Sequence, residues 1–394
     1  MNLMVRKKDF SLFLLFSLII TLVNNSNFIE VIRFGFSILL AGVSVLGIAF
    51  SIVYIISKKT ISKDLVPVVN RFLIFAVAVF LMSFHGPSLT LGLQRSFQVL
   101  SVLGVFYIFY SGGLKGRAPF VFSGVRKLII IAFIIHFLLS LAGIKVAAFS
   151  EYSGLLINPN VFGMWVAVLS LLVLSVRPDN KYYNILFFIV SLYLVFISGS
   201  RTSLLALLVG VLIISMPYRI VKSRFFKLAF IFGLFLLSFL IVYSTVYMDL
   251  SSYNEAVKET SGKNLQSGRH LIWPAVMDSV WIKPWFGWGS GAGLNDIFDR
   301  TYSVHNAYLQ TLMQNGFLGL LLMLSIILKI YFAIYKAVGS QYFKLALAML
   351  SALIMINNFE ITMFQNNLAL SYPVWAACGL AFGHYHYQRK TDTL

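Results

Sequence analysis

The chain has 394 residues, of which 59% are hydrophobic and only 11% charged, with a mean hydropathy of +0.87. A water-soluble domain of this length needs far more polar surface, so the composition excludes a soluble protein and points to one built in a bilayer. The formal net charge of +18 would suit nucleic acid, but its distribution follows membrane topology and not a nucleic-acid footprint.

Taken in chain order, apolar runs long enough to cross a bilayer, which takes roughly 20 residues, begin at residues 10–23 and 29–56. The first is followed by Asn24-Asn25-Ser26-Asn27 and not by a small-residue cleavage site, so it reads as a retained span and not a removable signal. Further spans are expected at 66–84, 93–110, 127–143, 155–176, 183–197, 202–216 and 226–248. A long polar segment, 249–303, then precedes three last spans at 304–328, 343–357 and 366–383. The runs are continuous and not alternating, which favours helices over barrel strands. The expected fold is therefore all-α and polytopic, with twelve transmembrane helices. Nine lie in residues 1–248 and three in 304–394, on either side of one long loop. That loop carries Trp273, Trp281, Trp285, Phe286 and Trp288 with Pro274 and Pro284. Such content predicts a compact cap with a helix near 268–280 rather than a disordered linker. The single cysteine, Cys378, permits no internal disulfide and is silent on compartment.

Arg6, Lys7 and Lys8 before the first span place the amino terminus in the cytoplasm. With twelve spans, the whole net charge of +18 then falls on the inner segments, and the outer segments balance to neutrality. This is the positive-inside asymmetry. It also suits contact with anionic membrane lipids. Both termini are expected inside and the 249–303 loop outside.

Three polar residues are expected to meet on the outer side. Arg201 lies in Ser198-Gly199-Ser200-Arg201-Thr202-Ser203 ahead of an apolar run, with Ser200 as a helix N-cap. It would stand at a helix N-terminus, where free N–H groups and the dipole favour an anion and a guanidinium adds bidentate bonds to phosphate. Arg269, in Gln266-Ser267-Gly268-Arg269-His270, repeats the pattern of small residue, arginine and helix. His305, in Ser303-Val304-His305-Asn306-Ala307-Tyr308, is expected in the first helical turn behind a Ser303 cap, with Tyr308 one turn on. A neutral imidazole there would accept a proton. Arg95 and Arg33 also face the outer side and are candidates for the same anion site, and Glu151 is an outer carboxylate. For the remaining histidines a structural role is expected: His85 in an outer turn, His136 as a neutral, hydrogen-bonded core group, His384 and His386 at the inner interface, and His270 packing beside Arg269. No His or carboxylate cluster has metal-ligand spacing, and no glycine-rich nucleotide pattern follows a strand, so no metal and no cofactor are expected.

These motifs resemble those of the O-antigen polymerase and O-antigen ligase superfamily. The resemblance rests on Ser198–Ser203, Gly287-Trp288-Gly289, His305-Asn306-Ala307-Tyr308-Leu309-Gln310, Asn315-Gly316-Phe317-Leu318-Gly319 and Asn158-Pro159-Asn160-Val161-Phe162-Gly163. It implies a metal-independent glycosyltransferase of the bacterial inner membrane, with a fold similar to the GT-C class and a periplasmic site. The substrate it implies is an oligosaccharide carried on undecaprenyl pyrophosphate. By that resemblance Arg201 and Arg269 bind the donor pyrophosphate and His305 assists the acceptor hydroxyl; Asn306, Tyr308 and Arg95 are further substrate-binding candidates. A chain-length regulator protein is a further candidate partner. The form of the arginine motif and the Phe- and Ile-rich composition favour the polymerase branch, with the ligase as alternative. A lipid-linked oligosaccharide transporter is the non-enzymatic alternative. It requires a polar cavity at mid-membrane and internal repeats, and the sequence shows neither.

Overall fold

A computed structural model describes residues 63–145, 150–156, 158–175, 181–261, 266–298 and 303–392. The first two expected spans and Arg33 lie outside these residues. Within them the chain is helical: α1 Val66–Met82, α2 Leu89–Gly113, α3 Ala118–Leu141, α4 Pro159–Ser175, α5 Lys181–Ile197, α6 Arg201–Ser215, α7 Tyr218–Val221, α8 Arg224–Tyr247, α9 Ser251–Ser261, α10 Arg269–Ile282, α11 Ala307–Lys336, α12 Phe343–Ile356 and α13 Leu368–Thr391. Five stretches, Val66–His85, α2, α3, α8 and α11, are long and apolar enough to cross a membrane. Shorter apolar helices fall at α4, α5, α6 and α12. Each expected span from 66–84 onward coincides with a helix. The run at 183–216, readable as one helix, is two, parted at Ser198-Gly199-Ser200.

Helix α12 is buried on every side, and most of α4 and of α13 up to His384 is buried with it. A helix apolar all round belongs in the middle of a bundle. By contrast, α3 and α8 leave large apolar side chains exposed, among them Ile131, Ile134, Leu138, Phe232, Phe239 and Leu240. Such faces are stable only against lipid or a partner. Helices α2 and α13 approach to backbone contact because Gly379 and Gly383, four apart, face α2; a Cβ on either would collide with the Phe106 or Tyr110 carbonyl.

The tenth expected span is not one continuous helix. At Gly316 the backbone turns to φ 62, ψ −166, breaking the hydrogen-bond ladder in the middle of apolar structure. The freed groups find partners in the segment after α10. Trp288 N donates to Met313 O (2.9 Å) and Gly289 N to Gln314 O (2.9 Å), while Phe317 N donates to Pro284 O (2.7 Å) and Leu318 N to Trp285 O (3.3 Å). A break of this kind survives only where protein replaces the lost bonds. The Gly-Trp-Gly and Asn-Gly-Phe-Leu-Gly sequences are thus two halves of one junction.

Between residues 249 and 303 the described residues form α9 and α10, with α10 covering the expected helix at 268–280. This segment has its own apolar cluster, in which Trp273, Val276 and Val280 meet Val304, Leu309 and Met313 at the start of α11. Trp273 Nε1 donates to Val304 O (2.9 Å) and Trp288 Nε1 to Ser279 O (2.9 Å).

Candidate functional site

The segment that parts α5 from α6 packs on the start of α4. Asn158 caps α4, its Oδ1 accepting from Asn160 N at 2.8 Å, with Pro159 as the first helical residue. Gly163 on the next turn leaves room for Ser198, Ser200 and Ser203, whose side-chain atoms would lie 2.5–2.9 Å from any Cβ there. Ser200 caps α6 as expected, accepting from Ser203 N at 3.4 Å. Arg201 is therefore the first residue of α6 and is exposed. At the opposite end Lys344 Nζ donates to the Ile214 (2.9 Å) and Met216 carbonyls. The positive pole of α6 thus faces Arg201 and its negative pole meets an ammonium.

A chain of buried asparagines positions the second half of the site. Asn306 caps α11, its Oδ1 accepting from Tyr308 N and Leu309 N, both at 2.9 Å, and its Nδ2 donates to Asn358 O at 3.0 Å. Ala307 N donates to Asn357 O at 2.9 Å. Asn357 Oδ1 in turn accepts from Thr362 N and Met363 N, both at 3.0 Å. These bonds fix the turn after α12, which carries Phe359 and Glu360, against the start of α11.

Arg269, at the first position of α10, reaches that turn. Its Nη2 donates to Phe359 O at 3.1 Å, and its guanidinium lies 5.3 Å from the Phe359 ring centroid. Its Nε is buried and has no hydrogen-bond partner among the described residues. Burial lowers its pKa, the Glu360 carboxylate opposes that, and the Arg201 guanidinium adds to it. It stays cationic, since an arginine starts far above neutrality. Two guanidinium groups close enough to repel make a site that an anion relieves.

Both arginines line one cavity of about 690 Å³. Its polar wall includes Asn160, Ser200, Thr202, Ser244 and Thr245, its apolar wall Leu205, Ile241 and Leu250, and two carboxylates, Glu151 and Glu360, border it. His305 Nδ1 lies 3.2 Å from Glu360 Oε2. The imidazole does not itself line the cavity; the Glu360 carboxylate, which does, orients the ring and leaves Nε2 for a further partner.

Several expectations change. His305 is not in a first helical turn behind Ser303. The cap is Asn306, and His305 precedes it in a left-handed conformation, φ 47; the Ser303 hydroxyl accepts from His305 N, at 3.4 Å. Asn306 is buried because it caps the helix. Tyr308 is buried too, its hydroxyl donating to Ile354 O at 3.1 Å. Neither lines the cavity, so each supports the site through α11. Arg95 also lies off the cavity, its Nη1 donating to Gln98 Oε1 at 3.1 Å on its own helix. His136 is buried as expected, yet neither ring nitrogen has a hydrogen-bond partner among the described residues; it packs on Phe162 and Trp165. Glu360 had no sequence signal: a lone carboxylate after an apolar helix, 55 residues from His305. Among the described residues no group of His, Cys, Asp and Glu has metal-binding geometry.

Comparison with known proteins agrees with the motifs. Residues 186–324 match the O-antigen ligase family. This stretch holds Arg201, Arg269 and His305. The chain is also similar to the ComP-specific O-oligosaccharyltransferase of Acinetobacter baylyi, 25% identical over 201 residues, covering 47% of this chain and 36% of that protein. The chain thus spans about a third of the length of that relative.

Proposed function

We propose, for a chain whose residues 186–324 form an O-antigen ligase-family domain, that it transfers an assembled oligosaccharide from a polyprenyl-pyrophosphate carrier to an acceptor hydroxyl at the outer membrane face. The observation that carries this reading is the cavity shared by Arg201 and Arg269, bordered by the Glu360 carboxylate that holds His305. The acceptor oxygen attacks the anomeric carbon and forms the new glycosidic bond as the bond to pyrophosphate breaks on the opposite face, with inversion. The hydroxyl proton passes to His305 Nε2, and Glu360 stabilises the imidazolium that results. Pyrophosphate leaves into the field of the two guanidinium groups and the α6 N-terminus, where charge develops and where preorganised donors have most effect.

The ligase branch is favoured over the polymerase branch expected from motif form and composition. The matching family is described as an O-antigen ligase and the relative as an O-oligosaccharyltransferase, and neither as a polymerase. The transporter reading is weaker, because the cavity's polar groups sit at helix ends and not midway along them.

The deciding experiment is a lipopolysaccharide gel, with carrier-lipid analysis, from a strain deleted for this gene and complemented with it. Bare core together with long glycan stranded on the carrier is the expected result. A single repeat unit on the core, with the ladder gone, would restore the polymerase. An unchanged ladder with no stranded glycan would remove the pathway altogether.

A further inference from the structure

Away from the arginine cavity, a groove of about 670 Å³ lies between the C-terminal end of α1 and the turn after α10. Leu81 and Met82 of α1, Leu318, just past the break in α11, and Trp285 and Phe286 of that turn line it. Leu81, Trp285 and Phe286 are 59%, 67% and 58% exposed. His85 and Lys283 are its polar lining residues. The Lys283 ammonium lies 4.1 Å from the Trp288 ring centroid. No carboxylate is in ion-pair range of it among the described residues. Its N–H donors are thus positioned by an aromatic face and not consumed by a carboxylate.

The groove does not stand alone on the surface. It continues the exposed stripe Ile74, Val77 and Leu81 along α1, one of the helices long enough to cross a bilayer. Trp281 and Ile282, 60% and 68% exposed, extend it on the cap side. Apolar stem, aromatic rim and a cation at the edge is the composition of a membrane–water boundary. A water-soluble partner would have to displace lipid from the exposed face of α1 to reach the groove, whereas a lipid reaches it along that face.

We propose that this groove is a binding site for a glycerophospholipid with an anionic headgroup. One acyl chain lies along Leu81, Leu318 and Phe286, and the phosphate accepts hydrogen bonds from the Lys283 ammonium and a His85 ring N–H. The bound lipid would also brace the cap. The wall it presses on, Pro284–Gly287, is the segment whose carbonyls repair the break in α11. The proposal is independent of the transfer reaction, since neither Lys283 nor His85 lines the arginine cavity.

The test uses the full chain in phosphatidylcholine vesicles, doped at equal fraction with dibrominated phosphatidylglycerol or dibrominated phosphatidylcholine, and reads quenching of tryptophan fluorescence. Trp285→Phe identifies the Trp285 contribution by difference. The brominated phosphatidylglycerol is expected to quench that contribution with roughly fivefold higher apparent affinity, the preference one lysine gives near a membrane surface. Lys283→Gln should bring the two lipids level, and His85→Gln should weaken quenching by both, since they share the phosphate, with circular dichroism confirming that each variant is folded. Equal quenching by both lipids in the unaltered chain would overturn the proposal, as would a preference that survives in Lys283→Gln.

Discussion

Arg269 is anchored on one side and unsatisfied on the other. Phe359 takes one Nη through its carbonyl and stacks beneath the guanidinium, while Nε is buried and has no partner among the described residues. A phosphate oxygen would complete it. Arg269→Ala is therefore expected to lower glycan transfer by about 10²- to 10³-fold, the effect of removing one preorganised donor from a developing anion, with protein level unchanged. Arg269→Lys should recover little, because an ammonium cannot present the planar fork. A transfer rate within threefold of the unaltered protein would remove Arg269 from the site. Glu360 is read as acting through His305. His305→Ala and Glu360→Gln should each slow transfer, and the double variant should be scarcely slower than His305→Ala alone, since residues acting as one unit are not additive. Fully multiplicative losses would show that Glu360 works on its own. At this scale the sequence was informative about types but not about partners. Arg201 and Arg269 were legible from small residues ahead of apolar helices. Glu360 was not, because nothing local marks it; a buried asparagine network brings it to His305. Asn306 and Tyr308 were misplaced for the same reason: their neighbours in sequence do not reveal that the polar atoms point into the bundle.

Among the elements, α11 shows most clearly how a local rule is met from far away in the chain. Its broken ladder at Gly316 is repaired by the 284–289 segment. A side chain at Gly316 would run into the Trp285 backbone, and one at Gly287 would fall 2.5 Å from the Gln314 backbone carbon. Gly143 shares the positive φ, at 68, but a Cβ there meets nothing within 4 Å. Gly143→Ala should thus show only the backbone cost of a left-handed L-residue, about 1–2 kcal/mol. Gly316→Ala and Gly287→Ala should lower the midpoint of thermal unfolding in detergent well beyond Gly143→Ala, by the added cost of the collision. Equal midpoints for the three would mean the junction is loose. The helix itself was readable as an apolar run; its break was not, since glycine is common in membrane helices and only the facing loop gives this one a purpose.

Over the whole molecule, a charged cluster ties the two ends of the described chain. Asp64 before α1 pairs with Lys336 at the end of α11, and His386 Nε2 on α13 lies 3.9 Å from Asp64. The bond from Lys336, against a smaller opposing effect of burial, holds the Asp64 carboxyl below its ordinary value of 3.8. A depressed carboxylate stabilises the fold at pH above its unfolded value and loses that contribution as pH falls through the folded one. Asp64→Asn should therefore lower stability at pH 7, by no more than about 1 kcal/mol for a partly exposed pair, with the difference shrinking as pH falls below the ordinary carboxyl value of 3.8. A difference that does not shrink as the pH is lowered would assign the loss to packing instead. Cys378, the sole cysteine, is buried. A cysteine placed at Ser303 should accordingly be labelled by an impermeant maleimide from outside intact spheroplasts, and one at Lys390 should not. Labelling of the second alone would invert the orientation.

Composition and period alone determined that this is a helical, membrane-embedded chain, and they located its helices, because burial in lipid imposes a long apolar run on every span regardless of neighbours. Motif order singled out two arginines and a histidine as candidates, and capping signals placed the two arginines at helix N-termini. Only the tertiary structure decided which of these meet, which carboxylate serves the histidine, and why the glycine motifs lie where they do. Those contacts join residues far apart in the chain, and their energy comes from buried hydrogen bonds that no local pattern encodes.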